Sequence, residues 1–132
     1  MRPNPVVYLV DDDAIYHSIT EMLLARVSRP VQFKGFNQGR AAMDQLLKDK
    51  DEPQSLPDLI LLDINMPIMN GWEFLTEFSS VHNTLSKKPR ISMMSSSSLE
   101  DDISRALTDQ NVMEFVTKPI TIEKLEGLTA EI

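Results

Sequence analysis

The sequence predicts an α/β domain of five βα units, a (βα)5 doubly wound parallel sheet with strand order 2-1-3-4-5. Three observations lead there. Strand-like and helix-like patterns alternate from end to end with short connections, as they do when helices cover both faces of a parallel sheet. Two runs, Val6-Val7-Tyr8-Leu9-Val10 and Leu59-Ile60-Leu61-Leu62, are continuously apolar, which suits strands buried on both faces. Both runs then end in carboxylates, Asp11-Asp12-Asp13 and Asp63, at the strand edge where open α/β sheets bind ligands. The order 2-1-3-4-5 sets the first and third strands side by side and gathers Asp11, Asp12 and Asp63. The order 3-2-1-4-5 would separate them.

Each element has its own signal. After Val6 to Val10, the spacing of Ile15, Ile19, Met22, Leu23 and Val27 predicts a helix with one apolar face, capped by Asp13 and broken at Arg29-Pro30. Val31 to Phe36 alternates as a partly exposed strand should. Ala41, Ala42, Met43, Leu46 and Leu47 mark a second helix, ended by the charged stretch from Lys48 and by Pro53. The Asp58 to Leu62 strand stops at Asn65, Pro67, Asn70 and Gly71, and a helix carrying Trp72, Leu75 and Phe78 follows. Ser79 to Pro89 reads as a long polar surface connection. Arg90 to Ser95 is a strand interrupted by the polar Arg90 and Ser92. Ser98-Leu99-Glu100-Asp101 matches a capping box and opens a helix with Ile103, Ala106 and Leu107. Val112 to Thr117 is the fifth strand, and Thr121 caps a last helix through Ile122, Leu125 and Leu128.

The 132 residues suit one domain spanning 1–132, with no output domain after the last helix. A net charge of −7 argues against nonspecific nucleic-acid binding, which depends on Lys and Arg neutralising phosphates. The absence of cysteine excludes disulfides and thiolate metal sites. No run approaches the roughly 18 apolar residues of a membrane span. The start, Met1-Arg2-Pro3-Asn4-Pro5, does not read as a signal peptide. The expectation is a cytoplasmic protein without nucleic-acid or membrane partners.

Three clustered carboxylates repel one another and are costly to desolvate together, so they suit a divalent cation. An all-oxygen set favours Mg²⁺, with Mn²⁺ as a substitute, over zinc. The plainer reading of Asp11-Asp12-Asp13 alone is a solvated, helix-capping turn; Asp63 tips the balance toward metal. Asp63 itself reads as a ligand, or as a nucleophile too if cations offset the incoming phosphate charge. Lys118, at the end of the fifth strand, is the fixed cation, and Pro119 offers a cis turn that would aim it inward. Ser95 ends the fourth strand with a hydroxyl, although Ser96, Ser97 and Ser98 compete with it as donors. Phe115, Trp72, Phe74 and Phe78 read first as packing residues, His17 and His82 as surface residues.

With these residues in place, the chain resembles the receiver domain of bacterial two-component response regulators, a flavodoxin-like fold. The resemblance rests on Val10-Asp11-Asp12-Asp13, Leu61 to Gly71, Met94-Ser95-Ser96 and Phe115-Val116-Thr117-Lys118-Pro119, in that order along nearly the whole chain. It implies a phosphorelay signalling module, not an enzyme with a separate substrate. Asp63 would accept a phosphoryl group from a phosphohistidine on a sensor histidine kinase or a histidine phosphotransfer protein. Asp12, Asp63 and the Asn65 backbone carbonyl would bind Mg²⁺ directly, with Asp11 acting through a water. Ser95 would take the switch hydroxyl position, Lys118 would contact the phosphoryl group, and Phe115 would take the switch-aromatic position. Output would pass to a downstream protein, from a monomer or weak dimer. The competing readings are a Mg²⁺-dependent aspartyl-phosphate phosphohydrolase and a scaffold receiver that is never phosphorylated. Against the first, haloacid-dehalogenase-type enzymes want an acid two residues after the nucleophile, where this chain has Asn65.

Overall fold

A computed structural model describes residues 4–96 and 100–132 of the chain. Five parallel strands, β1 (Val6–Val10), β2 (Gln32–Phe36), β3 (Leu59–Asp63), β4 (Arg90–Ser95) and β5 (Val112–Thr117), form one sheet in the order β2-β1-β3-β4-β5. The helices are α1 (Ala14–Leu24), α2 (Gly39–Lys48), α3 (Gly71–Val81), α4 (Glu100–Thr108) and α5 (Ile122–Ala130). The topology is the flavodoxin-like one, with the switch point between β1 and β3.

Strand alternation divides the core in two. Val6, Tyr8, Val10, Ile60 and Leu62 face one side with Met43 and Leu46 of α2 and Phe74 and Phe78 of α3. Val7, Leu9, Leu59 and Leu61 face the other with Tyr16 and Leu24 of α1 and Leu125 and Leu128 of α5. A strand with helices on both faces needs apolar residues at every position, which is why β1 and β3 read as unbroken runs. The expected strand at Arg90 to Ser95 is present as β4, buried from Ile91 to Ser95 with the polar Ser92 among them.

The expected caps at Asp13 and Thr121 are present. Asp13 accepts from the Ile15 and Tyr16 amides, and Thr121 from the Lys124 amide at 3.2 Å. α3 has a full capping box: Asn70 Oδ1 accepts from Glu73 N and Glu73 Oε1 from Asn70 N. The expected cap at Ser98 lies outside the described residues.

Two expectations are corrected. The inward face of α1 is Tyr16, Thr20 and Leu24; of the expected row, Leu23 packs on the core and Val27 is buried beyond the helix, while Ile15 (72% exposed), Ile19 and Met22 face solvent. Two apolar-looking rows share this helix, and the sheet takes the one containing a tyrosine and a threonine. The stretch from Ser79 to Pro89 is also less open than its polarity suggested. α3 runs on to Val81, a 3-10 turn covers His82–Thr84, and Leu85 is buried. There His82 stacks on Phe78, ring centroids 5.9 Å apart.

On the α3 side, the Arg105 guanidinium of α4 lies over the Trp72 ring, 4.2 Å from its centroid, and joins the two helices. In the turn between β3 and α3, Ile68 has φ 68° and is 88% exposed. A β-branched residue in this left-handed region is strained, and packing returns nothing to it there. Ile68→Asn is therefore expected to raise stability by about 0.5–1 kcal/mol, read as a higher urea midpoint at unchanged m-value. A lower midpoint would mean that Ile68 makes a stabilising contact after all.

Candidate phosphoacceptor and cation site

The site forms where β1, β3, β4 and β5 end together. Backbone hydrogen bonds extend the ladder past the strands: Ile64 N donates to Met94 O at 3.0 Å, and Lys118 N donates to Ser95 O at 2.8 Å. Gly71 N donates back to Ile64 O at 2.9 Å, so the start of α3 is tied to the exit of β3. These bonds hold three chain segments, distant in sequence, at one edge.

Asp11, Asp12 and Asp63 each place a carboxylate oxygen within 4.8 Å of the others. Asp11 and Asp63 are buried, Asp63 being 3% exposed, while Asp12 is exposed at the mouth. The strand end is thus recessed instead of facing solvent. Asp11 Oδ1 accepts from Asp13 N at 2.9 Å, and Asp63 Oδ1 from Asn65 N at 3.2 Å. The Lys118 ammonium lies 2.6 Å from Asp11 Oδ2 and 3.3 Å from Asp63 Oδ2. The Lys118-Pro119 bond is cis, and the lysine points into the acidic cluster. Ser95 is buried beside them, its Oγ 3.4 Å from Asn65 Nδ2.

The electrostatics follow from burial. Asp63 is pushed up to about 6, first by burial and then by the charge of Asp11, with Lys118 and the Asn65 amide opposing. For Lys118 burial alone would lower the pKa, but the carboxylates of Asp11 and Asp63 outweigh it and hold the ammonium above its ordinary value. Three acids facing one lysine leave the cluster short of positive charge. A donor set made only of oxygen, one member exposed, fits a hard divalent cation.

The structure brings together Asp11, Asp12, Asp63, Asn65, Ser95 and Lys118. Phe115, three residues before Lys118, is half-buried against the larger core cluster. Two neighbours went unnoticed in the sequence. Tyr16 lies under Lys118, its ring centroid 4.7 Å from the ammonium. His17, expected to be a surface residue, is half-buried, and its Nε2 donates to the Asp11 carbonyl at 2.7 Å. Tyr16 could have been found from the row Tyr16, Thr20, Leu24 and Val27, which has helical spacing too. Nothing local distinguishes His17.

A doubly wound sheet with a buried acid at its switch point, two more acids and a lysine defines a phosphate-handling class of domain whose acidic cluster is able to hold a divalent cation. The family model for the response regulator receiver domain matches residues 7–129. The chain belongs to that family. FilR2 of Methanothrix harundinacea, a probable methanogenesis regulatory protein, is 29% identical over 98% of this chain and 82% of its own length. A two-component response regulator from Cytophaga hutchinsonii superposes with a TM-score of 0.88 at 29% identity, covering 98% of this chain and 97% of that one. The Mn²⁺-bound form of response regulator Rcp1 gives 0.72 at 26%, covering 97% and 91%. Of several other curated relatives the chain spans less than half the length.

The acidic cluster and these relatives support a phosphoacceptor, cation-binding function of the two-component type. A domain of this class catalyses its own phosphorylation and dephosphorylation and does not turn over a separate substrate. Among the described residues, no helix is long and apolar enough to cross a membrane.

Proposed function

We propose that this domain is a phosphorylation-controlled interaction module in which Asp63 accepts a phosphoryl group from a phosphohistidine on a sensor histidine kinase or a histidine phosphotransfer protein. The observation that carries this reading is the recessed Asp63 carboxylate, with Lys118 Nζ at 3.3 Å and two further acids within reach. An Asp63 oxygen attacks phosphorus; the new O–P bond forms as the P–N bond breaks, and the bonding pair returns to the imidazole nitrogen. Lys118 offsets charge on the phosphoryl oxygens, and the Ser95 hydroxyl donates to one of them. Asp12, Asp63 and the Asn65 carbonyl would hold Mg²⁺ or Mn²⁺, with Asp11 acting through water. The bound cation supplies the positive charge that lets one anion approach another. The Mn²⁺-bound relative supports this choice of metal.

Phosphorylation adds about −1.5 to −2 charges and three acceptor oxygens. Ser95 and Lys118 move toward them, Phe115 turns inward, and the surface around β4, α4, β5 and α5 shifts between two states that a downstream protein distinguishes.

Intact-mass spectrometry after incubation with acetyl phosphate and Mg²⁺ tests the reading. One added phosphoryl group is expected, lost in Asp63→Asn and in EDTA. Lys118→Ala is expected to keep Mg²⁺ binding largely intact while uncoupling phosphorylation from the change in partner affinity. An adduct that persists in Asp63→Asn would overturn the assignment of the acceptor.

A further inference from the structure

Tyr16 holds Lys118 and the turn after it from two directions. It occupies the first turn of α1 and is buried between that helix and the ends of β4 and β5. Its ring lies 4.7 Å from the Lys118 ammonium. Its hydroxyl accepts from Ile120 N at 3.2 Å and donates to Met94 Sδ at 3.5 Å. Ile120 is two residues after Lys118, and Met94 directly precedes Ser95. One side chain therefore touches the lysine, the chain beyond it and the strand that presents the hydroxyl.

A lysine ammonium is a compact charge on a flexible stem, and its aim depends on what surrounds it. Here Asp11 holds it at 2.6 Å and Asp63 at 3.3 Å, so the carboxylates alone favour Asp11. An aromatic face is a third, uncharged attraction that does not compete for the phosphoryl group. Burial raises the phenol above its ordinary value, with the Ile120 amide and Lys118 opposing, so Tyr16 stays neutral and keeps its proton.

We propose that Tyr16 is a positioning residue for phosphoryl transfer, its ring keeping the Lys118 ammonium aimed at Asp63 while its hydroxyl anchors the turn at Ile120. The proposal rests on Asp63 being the phosphoacceptor. It divides the side chain into a ring that serves the reaction and a hydroxyl that serves the fold.

The test is a double-mutant cycle on the rate of Asp63 phosphorylation by acetyl phosphate in Mg²⁺, followed by intact mass. Tyr16→Leu is expected to slow phosphorylation about three- to tenfold in the Lys118 background and by less than about twofold in Lys118→Ala. Tyr16→Phe keeps the ring and should restore the rate to within about twofold of the parent, while unfolding at a lower temperature because Ile120 N–H loses its acceptor. Equal slowing by Tyr16→Leu with and without Lys118 would overturn the proposal. So would a Tyr16→Phe protein that is fully folded at the assay temperature yet as slow as Tyr16→Leu. A parent protein that takes up no phosphoryl group would sink the underlying reading of Asp63, and this role with it. A normal parent with an additive cycle would remove the Tyr16 role alone.

Discussion

Asp63→Asn is expected to make the metal-free protein more stable at neutral pH, while removing its capacity to be phosphorylated. The folded carboxyl titrates at about 6 against an ordinary 3.8, because burial and Asp11 disfavour its charge more than Lys118 favours it. Below the ordinary value the group is neutral in both states, and folding loses nothing. As pH rises from 3.8 to about 6 the unfolded chain releases a proton that the folded one retains, so stability falls. Above about 6 the folded protein carries a buried anion and the full penalty is present. At about 1.4 kcal/mol per pH unit the penalty is roughly 1–3 kcal/mol. Asparagine keeps the shape without the charge. Its advantage should be near zero below pH 4 and full by pH 7, where the melting temperature rises by roughly 5–10 °C. Saturating Mg²⁺ should raise the stability of the parent more than that of the variant, since binding to the folded state alone adds RT ln(1 + [L]/Kd). A variant less stable than the parent at pH 7 would show that Lys118 already outweighs the repulsion.

Gly71→Ala should have the largest effect in the opposite direction. A Cβ at Gly71 would lie 2.7 Å from Asp63 O and 2.9 Å from Ile64 Cα, both backbone atoms that cannot rotate away. Nor can the helix withdraw freely, because Gly71 N is bonded to Ile64 O at 2.9 Å. One methyl there drives α3 off the end of β3, at about 2–3 kcal/mol, and moves the carbonyl of Asp63. The melting temperature should fall by roughly 6–12 °C, and the phosphorylation rate of the protein that remains folded should fall too. Gly127→Ala is the matching control. Nothing lies within 4 Å of a Cβ at Gly127, in the middle of α5, so alanine there should stabilise by about 0.5–1 kcal/mol. Equal effects of the two substitutions would show that the close approach at Gly71 is not what limits it.

What could be read from the sequence was whatever depends on covalent order. β1 and β3 announce themselves because a strand covered on both faces has no polar positions, and Asp11, Asp12 and Asp63 follow directly from where those strands stop. Lys118 was legible for the same reason. What could not be read depends on rotation about an element's own axis. In α1, Ile15, Ile19 and Met22 make as good an apolar row as Tyr16, Thr20 and Leu24, and only the sheet decides between them. The row Ile15, Ile19 and Met22 leaves Tyr16 out, and with it the contact beneath Lys118. Burial depth was equally hidden: a strand-end acid looks solvated in sequence, and the pKa of Asp63 follows from its being recessed.

The stack of Arg105 on Trp72 gives the molecule an optical property. Trp72 is the single tryptophan of the chain, so all of its indole emission originates at the seam between α3 and α4. The ring also borders the cleft lined by Asn65, Met66 and Asp102, next to the acidic cluster. Fluorescence excited at the indole band therefore reports, without any label, whether α4 stays seated on α3 as cation and phosphoryl group arrive, and Arg105→Ala supplies the spectrum of the unseated joint.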